Sequence, residues 1–142
     1  MLLRNSTEVD DSHAIEVLRS DEPVAVDADE SQIRQILWNL ATNGLRAMPD
    51  GGTLRLAAVR ENALAVLRVE DEGVGIPPEE VDKIFQPFRG SFGKGTGLGL
   101  AIVHRIVTDY NGNIEVRPRA GGGTIFRVTF PTLVRATARQ AS

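Results

Sequence analysis

Two asparagines four residues apart, an aspartate followed by two spaced glycines, and four glycines within seven positions are the features of this sequence most able to do chemistry. Asn39 and Asn43, in "NLATNGLRAM", fall on one face of a helix. Their amide oxygens are hard, neutral ligands suited to Mg²⁺, which often keeps waters and phosphate oxygens in its other positions. Arg46, three residues on, shares that face and can reach a phosphate. Capping, or solvation on an exposed face, is the competing reading of these residues.

Asp71, in "EDEGVGIP", ends an apolar stretch, and Gly73 and Gly75 let the chain turn sharply beside it. A carboxylate there can accept the exocyclic amine of adenine and would repel the carbonyl of guanine. Alone, the pattern is equally an acidic turn after a strand. In "SFGKGTGLGLAIVHRIV", Gly93, Gly95, Gly97 and Gly99 run into a helical pattern. Such turns usually offer backbone N–H groups to an anion. "FQPF" places Phe85 and Phe88 around Pro87, where they can anchor one edge of a lid or simply pack in the core.

The two familiar phosphate loops do not fit. A Walker A loop ending at Gly93-Lys94 needs glycine at 88 and Ser or Thr at 95, where Phe88 and Gly95 stand. The dinucleotide fingerprint fails because Gly99 comes one position early and no strand precedes the run.

Composition narrows the class. At 142 residues the chain reads as one domain, with 42% hydrophobic and 25% charged residues. A net charge of -3 gives no reason to expect nucleic acid or anionic lipid. No cysteine and two histidines exclude disulfides and thiolate sites and make a histidine-based zinc site a poor fit. No apolar run approaches the roughly 20 residues of a membrane span, and no signal peptide is visible. A cytoplasmic domain without direct membrane contact is expected.

The elements that must position these residues follow from periodicity. Residues 1–12 read as a boundary segment, and "MLLRN" as a cut through a longer protein. Residues 13–133 form the domain, and 134–142 a disordered tail. "AIEVLRS" and "PVAVDAD" suggest short strands. Asp29 caps a helix carrying Ile33, Ile36, Leu37, Leu40 and Leu45, which stops at "MPDGG". "TLRLAAVR" and "ALAVLRVE" flank Glu61-Asn62 as an antiparallel hairpin. "PPEEVDKIF" is a short helix, and "QPFRGSFGKGTG" a mobile loop. "LGLAIVHRIVTDYNG" is a second helix closed by Asn111-Gly112. "NIEVRP" and "TIFRVTFP" make a second hairpin around "RAGGG". This order predicts an α+β two-layer sandwich, with a mixed, mainly antiparallel sheet and helices on one face.

N-x-x-x-N, D-x-G-x-G, F-x-P-F and G-x-G-x-G-L, in that order, resemble the N, G1, F and G2 boxes of one family. Residues 20 to 131 are similar to the catalytic, ATP-binding domain of two-component sensor histidine kinases. Their superfamily includes DNA gyrase, the heat-shock chaperone ATPases and the MutL repair proteins. "NGLRAMPDGG" and "GKGTGLGLAIVHRIV" look especially like the nitrogen-regulation and pilus-type branch.

The resemblance implies that ATP lies between the helical layer and a flexible lid. It makes Asn43 the principal Mg²⁺ ligand, with Asn39 supporting it and Arg46 on the phosphates. Asp71 becomes the adenine reader, with Gly73, Gly75 and Ile76 shaping the pocket. Phe88, Gly95, Thr96, Gly97, Leu98 and Gly99 belong to the lid and phosphate region, and Lys94 adds charge at the γ-phosphate. Thr124 matches a threonine that supports the aspartate.

Where Asn39 stands, the hydrolytic branches carry a glutamate that activates water. Asparagine takes up no proton near neutral pH, so transfer to an external nucleophile is expected instead of hydrolysis. That nucleophile is a histidine on a separate dimerisation domain, which passes phosphate to a response regulator. His13 and His104 lack the acceptor context. A membrane anchor on the parent protein is a family expectation that no residue here supports. Two departures stand out: Gly44 replaces a common alanine, at a helix cost near 1 kcal/mol, and the lid "RGSFGK" is a couple of residues short. The alternatives are a freestanding serine kinase of the anti-sigma-factor type, which usually has the glutamate, and a non-catalytic, nucleotide-dependent interaction module.

Overall fold

The computed structural model describes residues 13–19, 28–86 and 99–132. Its elements are β1 (His13–Arg19), α1 (Glu30–Arg46), β2 (Gly52–Glu61), β3 (Leu64–Asp71), a 3-10 helix (Pro78–Lys83), α2 (Gly99–Asp109), β4 (Asn113–Pro118) and β5 (Thr124–Pro131). Among the described residues the five strands form one sheet in the order β1-β2-β3-β5-β4. β1 pairs parallel to β2, and the other neighbours are antiparallel. This is the mixed α+β sandwich expected from the sequence.

Local chemistry sets the helix limits. The side chain of Asp29 accepts the Ser31 N–H at 2.8 Å, satisfying one of the unpaired donors at the start of α1. α2 ends in a Schellman arrangement: Asn111 adopts φ 61°, Gly112 N–H donates to Val107 O at 2.8 Å, and Asn111 N–H donates to Thr108 O at 3.1 Å. The Asp29 N–H donates to the Tyr110 hydroxyl at 3.3 Å, joining the two ends.

Ile36, Leu40 and Leu45 on α1 and Val103 and Val107 on α2 repeat at helical spacing, and all are buried. They meet Leu54, Val69, Phe126 and Val128, which alternate along their strands. That alternation decides the fate of Asp71. Ala65, Val69 and Asp71 share the helical side of β3, so the carboxylate that ends the strand is carried under α1.

Two details differ from the sequence reading. β2 extends through Glu61, so the first hairpin turns at Asn62-Ala63, with Asn62 at φ 57°. Asparagine tolerates this left-handed conformation through its short polar side chain. The short helix expected at "PPEEVDKIF" is present as a 3-10 helix, Pro78–Lys83. Of the expected strand at 23–29, only residues 28 and 29 are described, and Asp29 serves as the cap. The boundary segment 1–12, most of the glycine loop and the tail 134–142 lie outside the described residues.

Candidate functional site

α1 runs along the site and orders it. Near its middle, the Asn39 side chain donates to Gly99 O at 3.3 Å and accepts from Gln35 at 3.0 Å. Gly99 opens α2, so Asn39 stands beside the first turn of that helix, where backbone N–H groups lack intrahelical partners. Asn43 follows one turn later, about 6 Å along the axis, half-buried. Its side-chain amide has no hydrogen-bond partner among the described residues. Arg46 is exposed in the last turn.

Next to Asn43, Gly44 touches the far end of the site. A β-carbon on Gly44 would come within 3.3 Å of Asp71 Cβ and 3.4 Å of one carboxylate oxygen. Asp71 is 2% exposed and accepts the Gly73 N–H at 2.8 Å. Burial pushes its carboxyl above the ordinary carboxylate value, against the N–H groups of Gly73 and Thr124 and the charge of Arg119. Thr124, also buried, is its register partner on β5.

The two glycines after Asp71 are required for different reasons. At Gly73 a β-carbon would overlap Ala47 O at 2.4 Å, so close approach to the end of α1 excludes a side chain. Gly75 instead adopts φ 79°, and a β-carbon there would lie 3.5 Å from Gly123 O. The Val74 N–H donates to Ala47 O at 3.2 Å, fixing this turn to α1. Ile76 is half-buried against the core.

The structure therefore brings Asn39 to Gly99, and Asp71 to Gly73 and Thr124, with Asn43 between the two ends. Phe88, Lys94, Gly95, Thr96, Gly97 and Leu98 lie outside the described residues. The two histidines are placed apart from this line. His13 is buried with Nε2 2.7 Å from Met48 O, and His104 is exposed, its ring centroid 5.5 Å from that of Phe85.

Sequence reasoning missed the support behind Asp71. Glu70 and Arg119 join on the opposite side of β3, and Gly123 presses on Asp71 from the β4–β5 turn. The signals were the E-D-E triplet, whose alternation sends Glu70 away from Asp71, and the glycine run of "RAGGG". Gly44, read as a cost to the helix, also lies where α1 meets Asp71.

Among the described residues, no helix is long and apolar enough to cross a membrane. Residues 28–134 match the family described as histidine kinase-, DNA gyrase B-, and HSP90-like ATPase. Sporulation kinase C of Bacillus subtilis (strain 168) is 39% identical over 106 residues, which are 75% of this chain and 25% of that protein. The matched part of the chain spans only 13% to 31% of the length of such curated relatives. Among solved structures, the mycobacterial sensor histidine kinase MprB superposes with a TM-score of 0.76 at 29% identity, covering 85% of this chain and 83% of that one. Full-length ShkA in complex with AMPPNP gives a TM-score of 0.74 at 31% identity, covering 84% and 26%. The relatives are sensor kinases of several kinds, and none singles out the nitrogen-regulation and pilus-type branch.

Proposed function

This chain belongs to the histidine kinase-, DNA gyrase B- and HSP90-like ATPase family, and from that premise we propose that it binds Mg-ATP as the catalytic domain of a sensor histidine kinase. The observation that carries this reading is Asp71: a nearly fully buried carboxylate at a strand end, under a helix stripped to glycine, beside a glycine turn. A buried carboxylate needs donors. Gly73 and Thr124 supply backbone N–H groups, and the amine of adenine would supply another.

The residues fit the two expected groups. Asn43, half-buried one turn along α1 from Asn39 and with no side-chain hydrogen-bond partner among the described residues, suits a cation that keeps phosphate oxygens in its shell. Asn39, tied to Gly99, holds α1 and the start of α2 at a fixed separation. When bound, Mg-ATP supplies the transferable γ-phosphoryl group and the metal charge that neutralises its oxygens. Arg46 adds positive charge at the phosphate end, and Lys94, Gly95, Thr96, Gly97 and Leu98 complete the phosphate region with Phe88. Neither asparagine can act as a base, so the chain's own part is positioning and exclusion of a competing water.

The acceptor in this reading is a histidine on a dimerisation domain of the parent protein, with a response regulator downstream, in the cytoplasm. The test is phosphotransfer: the chain, ATP labelled at the γ-phosphate, and the parent's dimerisation domain. Label on that domain's histidine supports the assignment. Nucleotide binding with no transfer to it, or label released mainly as inorganic phosphate, contradicts it.

A further inference from the structure

Resting on the nucleotide reading above, we propose that Arg119 is a positioning residue for the adenine-selective end of the site, acting from the opposite face of the sheet. β3 sends Asp71 towards the helices and Glu70 to the other side. Arg119, just past β4, donates from Nε to Glu70 Oε2 at 2.6 Å, and its guanidinium lies 3.6 Å from Glu72 Oε2. The same side chain donates to Gly122 O at 3.2 Å and Ala120 O at 3.3 Å. Its backbone N–H donates to Gly123 O at 3.1 Å, and its carbonyl accepts the Gly122 N–H at 3.0 Å. One residue therefore fastens the β4–β5 turn to both neighbours of Asp71.

The turn needs such a fastening. Gly121, Gly122 and Gly123 have φ of 90°, 112° and 116°, and no side chain of their own to pack. Its position matters because Gly123 lies against Asp71, where a β-carbon would come within 2.0 Å of Asp71 O, and because Thr124 pairs with Asp71. The Arg119 and Glu70 side chains are only 22% and 11% exposed, so this charge-assisted bond is less screened than a surface pair. Arg119 thereby sets the spacing between the turn and the carboxylate that reads the base. Lysine could keep the ion pair to Glu70 but not the fork that also reaches two carbonyls.

The experiment is calorimetric titration of the wild-type chain, Arg119→Gln and Arg119→Lys with Mg-ATP and Mg-GTP, with thermal melting alongside. Arg119→Gln is expected to weaken ATP about tenfold, a change of about 1.4 kcal/mol, while GTP stays at its weak wild-type level. The ATP-to-GTP ratio then falls by the same factor, and Arg119→Lys lies between. A residue that only stabilised the fold would lower melting and leave the ratio unchanged in folded molecules. If Arg119→Gln does not fold, the lysine variant carries the test, with a ratio about threefold below wild type. A wild-type ratio in the folded variant overturns the inference alone. Failure of the wild-type chain to bind ATP overturns the nucleotide reading and this inference with it.

Discussion

Gly44 and Asp71 meet so closely that a β-carbon on the glycine would lie 3.3 Å from that of the aspartate. Helix α1 thus reaches β3 at the buried carboxylate itself. The same helix carries Asn43 one residue earlier, so in the proposed reading the metal ligand sits next to the point where α1 meets the carboxylate proposed to read the base.

This contact predicts a near-neutral Gly44→Ala. The substitution recovers about 1 kcal/mol of helix propensity. Its tightest neighbour is Leu54 Cδ1 at 2.8 Å, the end of a side chain that can turn aside at similar cost. Urea denaturation should show a change within about 1 kcal/mol, and a loss above about 2 kcal/mol would mean that Leu54 cannot yield.

The triple-glycine turn predicts an order. Gly122 and Gly123 have similar φ, but only at Gly123 would a β-carbon strike backbone, 2.0 Å from Asp71 O; at Gly122 nothing lies within 4 Å. Gly122→Ala should cost the strain alone, about 1–3 kcal/mol. Gly123→Ala should cost clearly more and abolish ATP binding. Equal losses in denaturation would remove the contact argument.

Asp71→Asn should weaken ATP severely while leaving the chain folded. Because burial holds the Asp71 carboxyl above its ordinary value of 3.8, the folded state keeps this proton more tightly than the unfolded state. Ionised Asp71 therefore subtracts stability at neutral pH, and the loss disappears as pH falls through its raised pKa and below 3.8. The asparagine variant should melt at or above wild type at pH 7, with the gap closing on acidification. Widening of the gap in acid would reverse the sign of the burial effect.

Asn43→Ala should remove chiefly the metal-dependent part of nucleotide affinity. Titrations with Mg²⁺ and with a chelator should converge in the variant and differ in wild type. An equal loss under both conditions would place Asn43 away from the metal.

Much of this was legible in the sequence because it follows from local periodicity. The Asp29 cap and the Asn111-Gly112 stop need no knowledge of distant contacts. The sheet's layers followed from the order of helices and hairpins. What stayed hidden depends on pairs far apart in the chain. Arg119 meets Glu70 across 49 residues, and Gly73 must be glycine because of Ala47, a neighbour only in space. The hairpin turn slipped by one residue because both Asn62 and the residues around it suit a turn, and only pairing with β3 fixes the register.

The central claim is that this chain holds Mg-ATP with Asp71 reading the base, and the most direct measurement is calorimetric titration with ATP, with and without Mg²⁺, beside GTP. The account predicts saturable binding of ATP, strengthened by the metal, and GTP weaker by about tenfold or more. Equal affinity for the two nucleotides, or no saturable binding of ATP, would contradict it.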